Sequence, residues 1–116
     1  GEGAVYAGGV SYGGRMVTMA AAEDAGLCDA VLLLSYPLHP PGKPQQLRTA
    51  HLPLLRVPAF FVHGTRDPFG SVEEMTGALA LLGGPSRLRV VEKAGHELRG
   101  LPSGAVASEF LDFVSG

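Results

Sequence analysis

The chain is short of cysteine, of charge and of long apolar runs, and each shortage removes a class of protein. Cys28 is the only cysteine among 116 residues, which rules out an internal disulfide and a zinc cluster of cysteines. A reducing, cytoplasmic setting is the expectation. Charged residues make up 17%, and 9 Lys and Arg against 11 Asp and Glu leave a net charge of −2. That balance gives no electrostatic reason to expect nucleic acid or a membrane surface as a partner. No apolar run approaches the roughly 18 residues of a membrane span. No basic, apolar and small-residue order marks a signal peptide. No internal repeat is present. His39, His51 and His63 have no recognisable metal-ligand spacing, and neither a metal nor a cofactor is expected. The glycine-rich turn near the start has no G-x-x-x-x-G-K-[ST], because Arg15 follows Gly13-Gly14 without Lys, Ser or Thr. G-x-G-x-x-G is missing as well, which argues against a nucleotide-binding domain.

What is there suits a packed domain, or part of one. Hydrophobic residues make up 46%, enough for a core. The 17 Gly and 9 Pro cut the chain into short elements. Continuous apolar runs over 4–10, 30–35 and 59–63, with a more mixed one over 87–92, predict four strands. Continuous rather than alternating apolarity marks strands covered on both faces, as in parallel sheets. Short crossovers predict that the four lie side by side in chain order.

Helices are predicted between and after the strands. Met16, Met19 and Ala20 recur at helical spacing over 12–25, with Gly26 just beyond. Ser71 and Glu74 match a capping box. Val72, Met75, Leu79 and Leu82 then form an apolar face that Gly83-Gly84 ends. Val106, Phe110, Phe113 and Val114 form another. The proline-rich stretch 39–58 reads as a loop with one short helix around 45–51. The whole is an α/β pattern.

Gly9-Val10-Ser11-Tyr12-Gly13 satisfies G-x-S-x-G, the pattern of a nucleophile held out on a sharp strand-to-helix turn. Its neighbours must approach closely without Cβ atoms, hence the glycines. A glycine-rich turn alone would read the same way, so context decides. Such enzymes carry the acid and then the base further along the chain. Asp67 follows the third predicted strand, in "HGTRDPFG", and His96 follows the fourth, in "KAGHELRG". All three candidates fall beyond strand C-termini, where open α/β sheets place their sites. His63 reads as a strand-end residue that packs or hydrogen-bonds locally. His39 heads the proline loop and is a candidate pocket residue. Arg15 and Arg66 lie near the candidates in sequence; they would contact an acidic substrate or, the stronger alternative, serve as solvated or salt-bridging groups.

"GGVSYGGR", "LSYPLHPPGKPQQLR", "VPAFFVHGTRDPFG" and "AGH" together resemble the α/β-hydrolase-like family named for a testis-expressed protein and a subunit of the nonspecific-lethal chromatin complex, within the dienelactone-hydrolase-like group. "YPLHPPGKP" followed by "GTRDPFG" is far more specific than G-x-S-x-G. The resemblance implies an α/β-hydrolase fold with Ser11 as nucleophile, Asp67 as acid and His96 as base. In a complete fold of this kind several strands precede the elbow. Residues 1–116 are therefore expected to be a partial domain, its C-terminal half, with the first strands missing.

The expectation is a serine hydrolase acting on an ester, thioester or related acyl bond of a small molecule. The Tyr12 backbone N–H supplies one oxyanion donor. The piece itself is expected to be weak or inactive and to self-associate through an open first-strand edge. The alternative is a catalytically inactive interaction domain that keeps the fold. Reaction of Ser11 with a fluorophosphonate separates the two.

Overall fold

The runs AVLLL and AFFVHG have no polar face, so each needs cover on both sides. In the computed structural model, which describes residues 3–116, they form the two central strands of a parallel sheet. Its four strands are β1 (Tyr6–Val10), β2 (Ala30–Leu34), β3 (Ala59–Gly64) and β4 (Ser86–Val91), in that spatial order. Neighbours are parallel throughout, as the sequence predicts. Val10 pairs with Leu34 and Leu34 with Val62, so the strand C-termini that carry the candidate residues end at a common edge. β1 is shorter than predicted. At Val5 the N–H instead reaches the Asp29 carboxylate, at 2.7 Å.

Helices α1 (Tyr12–Glu23), α2 (Val72–Leu79) and α3 (Ser103–Ser115) cover the sheet. Alternate residues of each strand face opposite layers. Val31, Leu33 and Phe61 pack with Ala21 of α1, Met75 and Ala78 of α2, and Tyr36, Leu38, Leu52 and Leu55 of the long loop. Ala30, Phe60 and Val62 pack with Val106 and Phe110 of α3.

The capping box forms as predicted: Glu74 N–H donates to Ser71 Oγ at 3.0 Å, and Ser71 N–H to Glu74 Oε1 at 2.9 Å. Three expectations need correcting. α1 does not bury the Met16 and Met19 side; these residues are 59% and 37% exposed, and the buried face is Gly14, Thr18 and Ala21. The helix starts so close to β1 that only small residues fit between them. α1 also ends at Glu23, two residues short of the expected end at 25, and the Asp24 carboxylate accepts from Gly26 N–H at 3.0 Å where the chain turns. No helix forms over 45–51; a short 3-10 turn appears instead at Leu52–Leu54, with Pro53 inside it.

Candidate active site

The turn after β1 is the tightest point of the chain. Ser11 has φ 54° and ψ −121°, a left-handed backbone that side-chain-bearing residues adopt only under strain. It persists because its surroundings hold it. Ser11 N–H donates to the Leu34 carbonyl at 2.8 Å. A Cβ on Gly9 would collide with the Gly13 and Gly14 backbone, so the strand and helix close on each other only with glycine there. The bend aims Ser11 Oγ at His96 Nε2, 2.7 Å away.

His96 stands on the loop after β4 and Asp67 on the loop after β3. His96 Nδ1 lies 2.8 Å from Asp67 Oδ2. An ionised carboxylate only accepts, so Nδ1 carries the proton, and in the neutral ring Nε2 accepts from the Ser11 hydroxyl. Asp67 is buried, and its second oxygen accepts from Phe69 N–H at 2.8 Å. The two loops are joined at several points: Arg66 N–H donates to the Ala94 carbonyl at 2.8 Å, and Lys93 N–H to Thr65 Oγ1 at 2.8 Å. A Cβ on Gly64 would collide with the Ala94 carbonyl, so this join also depends on glycine.

Tyr12 occupies the first position of α1, where a backbone N–H has no intrahelical acceptor and the helix dipole favours negative charge. Its ring lies under the Arg48 guanidinium, 5.1 Å from ring centroid to Cζ. A cleft bounded by Pro68, Lys93, Gly95, Glu97 and Arg99 opens beside the His96 ring.

The remaining sequence candidates lie around this line. His63 is fully buried at the end of β3, and its Nε2 donates to the Gly70 carbonyl at 2.5 Å. Its Nδ1 has no hydrogen-bond partner and faces Asp67 Oδ2 at 3.9 Å. His39 is buried, with Nδ1 2.9 Å from the Pro40 carbonyl and Nε2 2.9 Å from Glu74 Oε1. Both neighbours are acceptors, so the doubly protonated ring satisfies both. The Glu74 bond, and then the Pro40 carbonyl, hold its pKa above the ordinary histidine value. Glu74 is held below the usual carboxylate value by the Ser71 backbone N–H and then by His39. His51 bonds Thr18 Oγ1 through Nε2 at 2.8 Å, and burial followed by the Arg15 charge lowers its pKa. Arg15 is half-buried and Arg66 exposed. Among the described residues neither forms an ion pair.

Two neighbours of the line carried no sequence signal. Ser35 is fully buried with φ 56°, and its Oγ donates to the His96 carbonyl at 2.6 Å. Phe69 stacks on the His96 ring. Both contacts join residues far apart in the chain, and no local pattern announces them.

A strained serine at a strand-to-helix turn, above a parallel sheet with covering helices, belongs to the α/β-hydrolase architecture. Sequence comparison agrees: the chain belongs to the family described as "Alpha/beta hydrolase domain", whose sequence model matches residues 2–112. Solved structures share the fold. A predicted CIB-like hydrolase from Thermoplasma acidophilum is 20% identical with a TM-score of 0.69, over 94% of this chain and 50% of that one. A dienelactone hydrolase from Anabaena variabilis is 25% identical with a TM-score of 0.70, over 93% and 47%. Est1E from Butyrivibrio proteoclasticus is 18% identical with a TM-score of 0.75, over 97% and 62%. The chain therefore spans about half the length of the first two relatives. Among the described residues no helix is long and apolar enough to cross a membrane.

Proposed function

We propose that this chain carries the nucleophile, acid and base of a serine hydrolase that cleaves an ester, thioester or related acyl bond in a small molecule. The observation that carries the reading is the continuous line from Ser11 Oγ through His96 to Asp67, with contacts of 2.7 and 2.8 Å. A strained serine backbone at its head adds to it. In this reading His96 Nε2 takes the hydroxyl proton as Ser11 Oγ attacks the acyl carbon. The imidazolium that forms is stabilised by the buried Asp67 carboxylate, which also fixes the tautomer. The Tyr12 N–H donates to the developing oxyanion. His96 then returns its proton to the departing alcohol or thiol. Water, activated by the same ring, releases the acyl group and restores Ser11.

The hydrolase names of two structural relatives support this class of chemistry. The "YPLHPPGKP" and "GTRDPFG" stretches support a narrower kinship with the chromatin-subunit and testis-expressed branch of the family.

The test is labelling with a fluorophosphonate probe alongside hydrolysis of p-nitrophenyl acetate. Ser11→Ala should abolish both. Hydrolysis that survives Ser11→Ala overturns the nucleophile assignment. Absence of labelling and turnover in the well-folded full-length protein favours an interaction domain that keeps the fold without the chemistry.

A further inference from the structure

The contacts that hold the His96 ring are of two kinds. Ser11 Oγ and Asp67 Oδ2 bond its two nitrogens, and an imidazole nitrogen directs its N–H or its lone pair in the plane of the ring. These bonds fix where the ring edge sits and do little to oppose tilting out of that plane. The imidazole stands on a loop and is 23% exposed, so the protein interior does not enclose it.

The out-of-plane restraint comes from Phe69. Its ring lies against the imidazole face, with centroids 4.1 Å apart and planes 28° from parallel. Phe69 is itself anchored on three sides. Its N–H donates to Asp67 Oδ1 at 2.8 Å, and its carbonyl accepts from His39 N–H at 3.0 Å. The next residue, Gly70, accepts from the buried His63 ring and packs against Leu38. One residue therefore touches acid and base together: its backbone holds the Asp67 carboxylate and its side chain backs the His96 ring.

We propose that Phe69 is the positioning residue of the site, holding the His96 imidazole in the plane that Ser11 and Asp67 require. The proposal rests on the reading of His96 as the base. A geometric slip of about 1 Å costs on the order of 100-fold in rate, so a lost restraint should appear in turnover rather than in substrate affinity.

The experiment compares Phe69→Ala, Phe69→Leu and Phe69→Tyr. Steady-state hydrolysis of p-nitrophenyl acetate is one readout. Long-range ¹H–¹⁵N spectra of the imidazoles are the other, with the His96 signals assigned by their loss in His96→Gln. Phe69→Ala should lower kcat about 10- to 100-fold with KM within about 3-fold, and Phe69→Tyr should restore kcat to within about 3-fold. In the spectra, wild type and Phe69→Tyr should show a single His96 tautomer protonated at Nδ1, and Phe69→Ala an averaged pair. Phe69→Leu keeps apolar bulk without a flat face and should fall between, which covers the case where Phe69→Ala fails to fold. A wild-type kcat in Phe69→Leu, or a rise in KM at constant kcat in Phe69→Ala, overturns the proposal. So does a His96 spectrum that Phe69→Ala and Phe69→Leu leave unchanged. If the full-length wild type hydrolyses nothing, the serine-hydrolase reading fails, and the spectra still decide whether Phe69 orders the His96 ring.

Discussion

Ser35 Oγ donates to the His96 carbonyl at 2.6 Å, joining the residue after β2 to the loop after β4. The bond is part-buried and takes hold of the backbone of His96, whereas Phe69 acts on its ring. Ser35→Ala should cost about 1 kcal/mol in denaturant unfolding, the usual net contribution of one hydrogen bond. It should also lower kcat for p-nitrophenyl acetate. Ser35→Gly removes the same hydroxyl and accepts φ 56° without strain. It should match Ser35→Ala in kcat and melt at a higher temperature. Equal melting of the two variants would mean that the left-handed backbone at Ser35 stores no strain.

Two glycines should respond in opposite directions to the same substitution. Gly64→Ala drives a methyl into the Ala94 carbonyl, separating the loops that carry Asp67 and His96. It should destabilise by about 1–3 kcal/mol and reduce fluorophosphonate labelling of Ser11. Gly77 lies inside α2 with nothing near its absent Cβ. Gly77→Ala should stabilise by about 0.8–1 kcal/mol, the difference in helix propensity. Urea unfolding of the two variants checks both signs.

The His39–Glu74 pair makes stability depend on pH. His39 has a folded pKa above its ordinary value of 6.5, so its contribution is fully present below 6.5 and lost as pH rises through the raised value. Glu74 has a folded pKa below 4.5, so its contribution is present above 4.5 and lost as pH falls through the lowered value. His51, held below 6.5, works the other way and makes folding more favourable as pH rises through that range. The pair is therefore isolated by difference. The melting temperature of wild type relative to His39→Gln should fall as pH is raised above 6.5. A constant difference across that range would show that His39 binds its proton equally well in the folded and unfolded protein.

β1 leaves one long side without a strand partner among the described residues. Tyr6 and Val10 on it are 41% and 61% exposed, and Val5 beside it is 54% exposed. Apolar open edges pair with other chains. Sedimentation velocity on the 116-residue chain should show dimers or larger species, and Val5→Lys should shift the distribution toward monomer.

The sheet was legible because its strands carry the plainest signal a sequence offers. Val31 to Leu34 and Phe60 to Val62 have no polar face, and short connections leave neighbouring parallel placement as the economical arrangement. Ser11, Asp67 and His96 stood out as candidates because each lies just beyond a predicted strand. The orientation of α1 was not legible. Hydrophobicity ranks Met16 and Met19 above Gly14 and Thr18, whereas packing beside the Ser11 turn selects for size, and the small residues go inward. The helix expected over 45–51 does not form, and Leu47 within that stretch is 52% exposed. Ser35 and Phe69 act through partners 61 and 27 positions away, contacts that exist only after folding.

Ser11 rides on β1 and His96 follows β4, the two opposite margins of the sheet. Three strand spacings separate those margins, about 14 Å. The 2.7 Å contact between them is thus a clasp across all four described strands. It closes only when all three strand pairings are in register, since a slip at any seam moves one half of the clasp away from the other. Reactivity of a single hydroxyl then reports on every seam at once. Under rising denaturant, fluorophosphonate labelling of Ser11 should disappear before the helices do, as soon as any one seam opens.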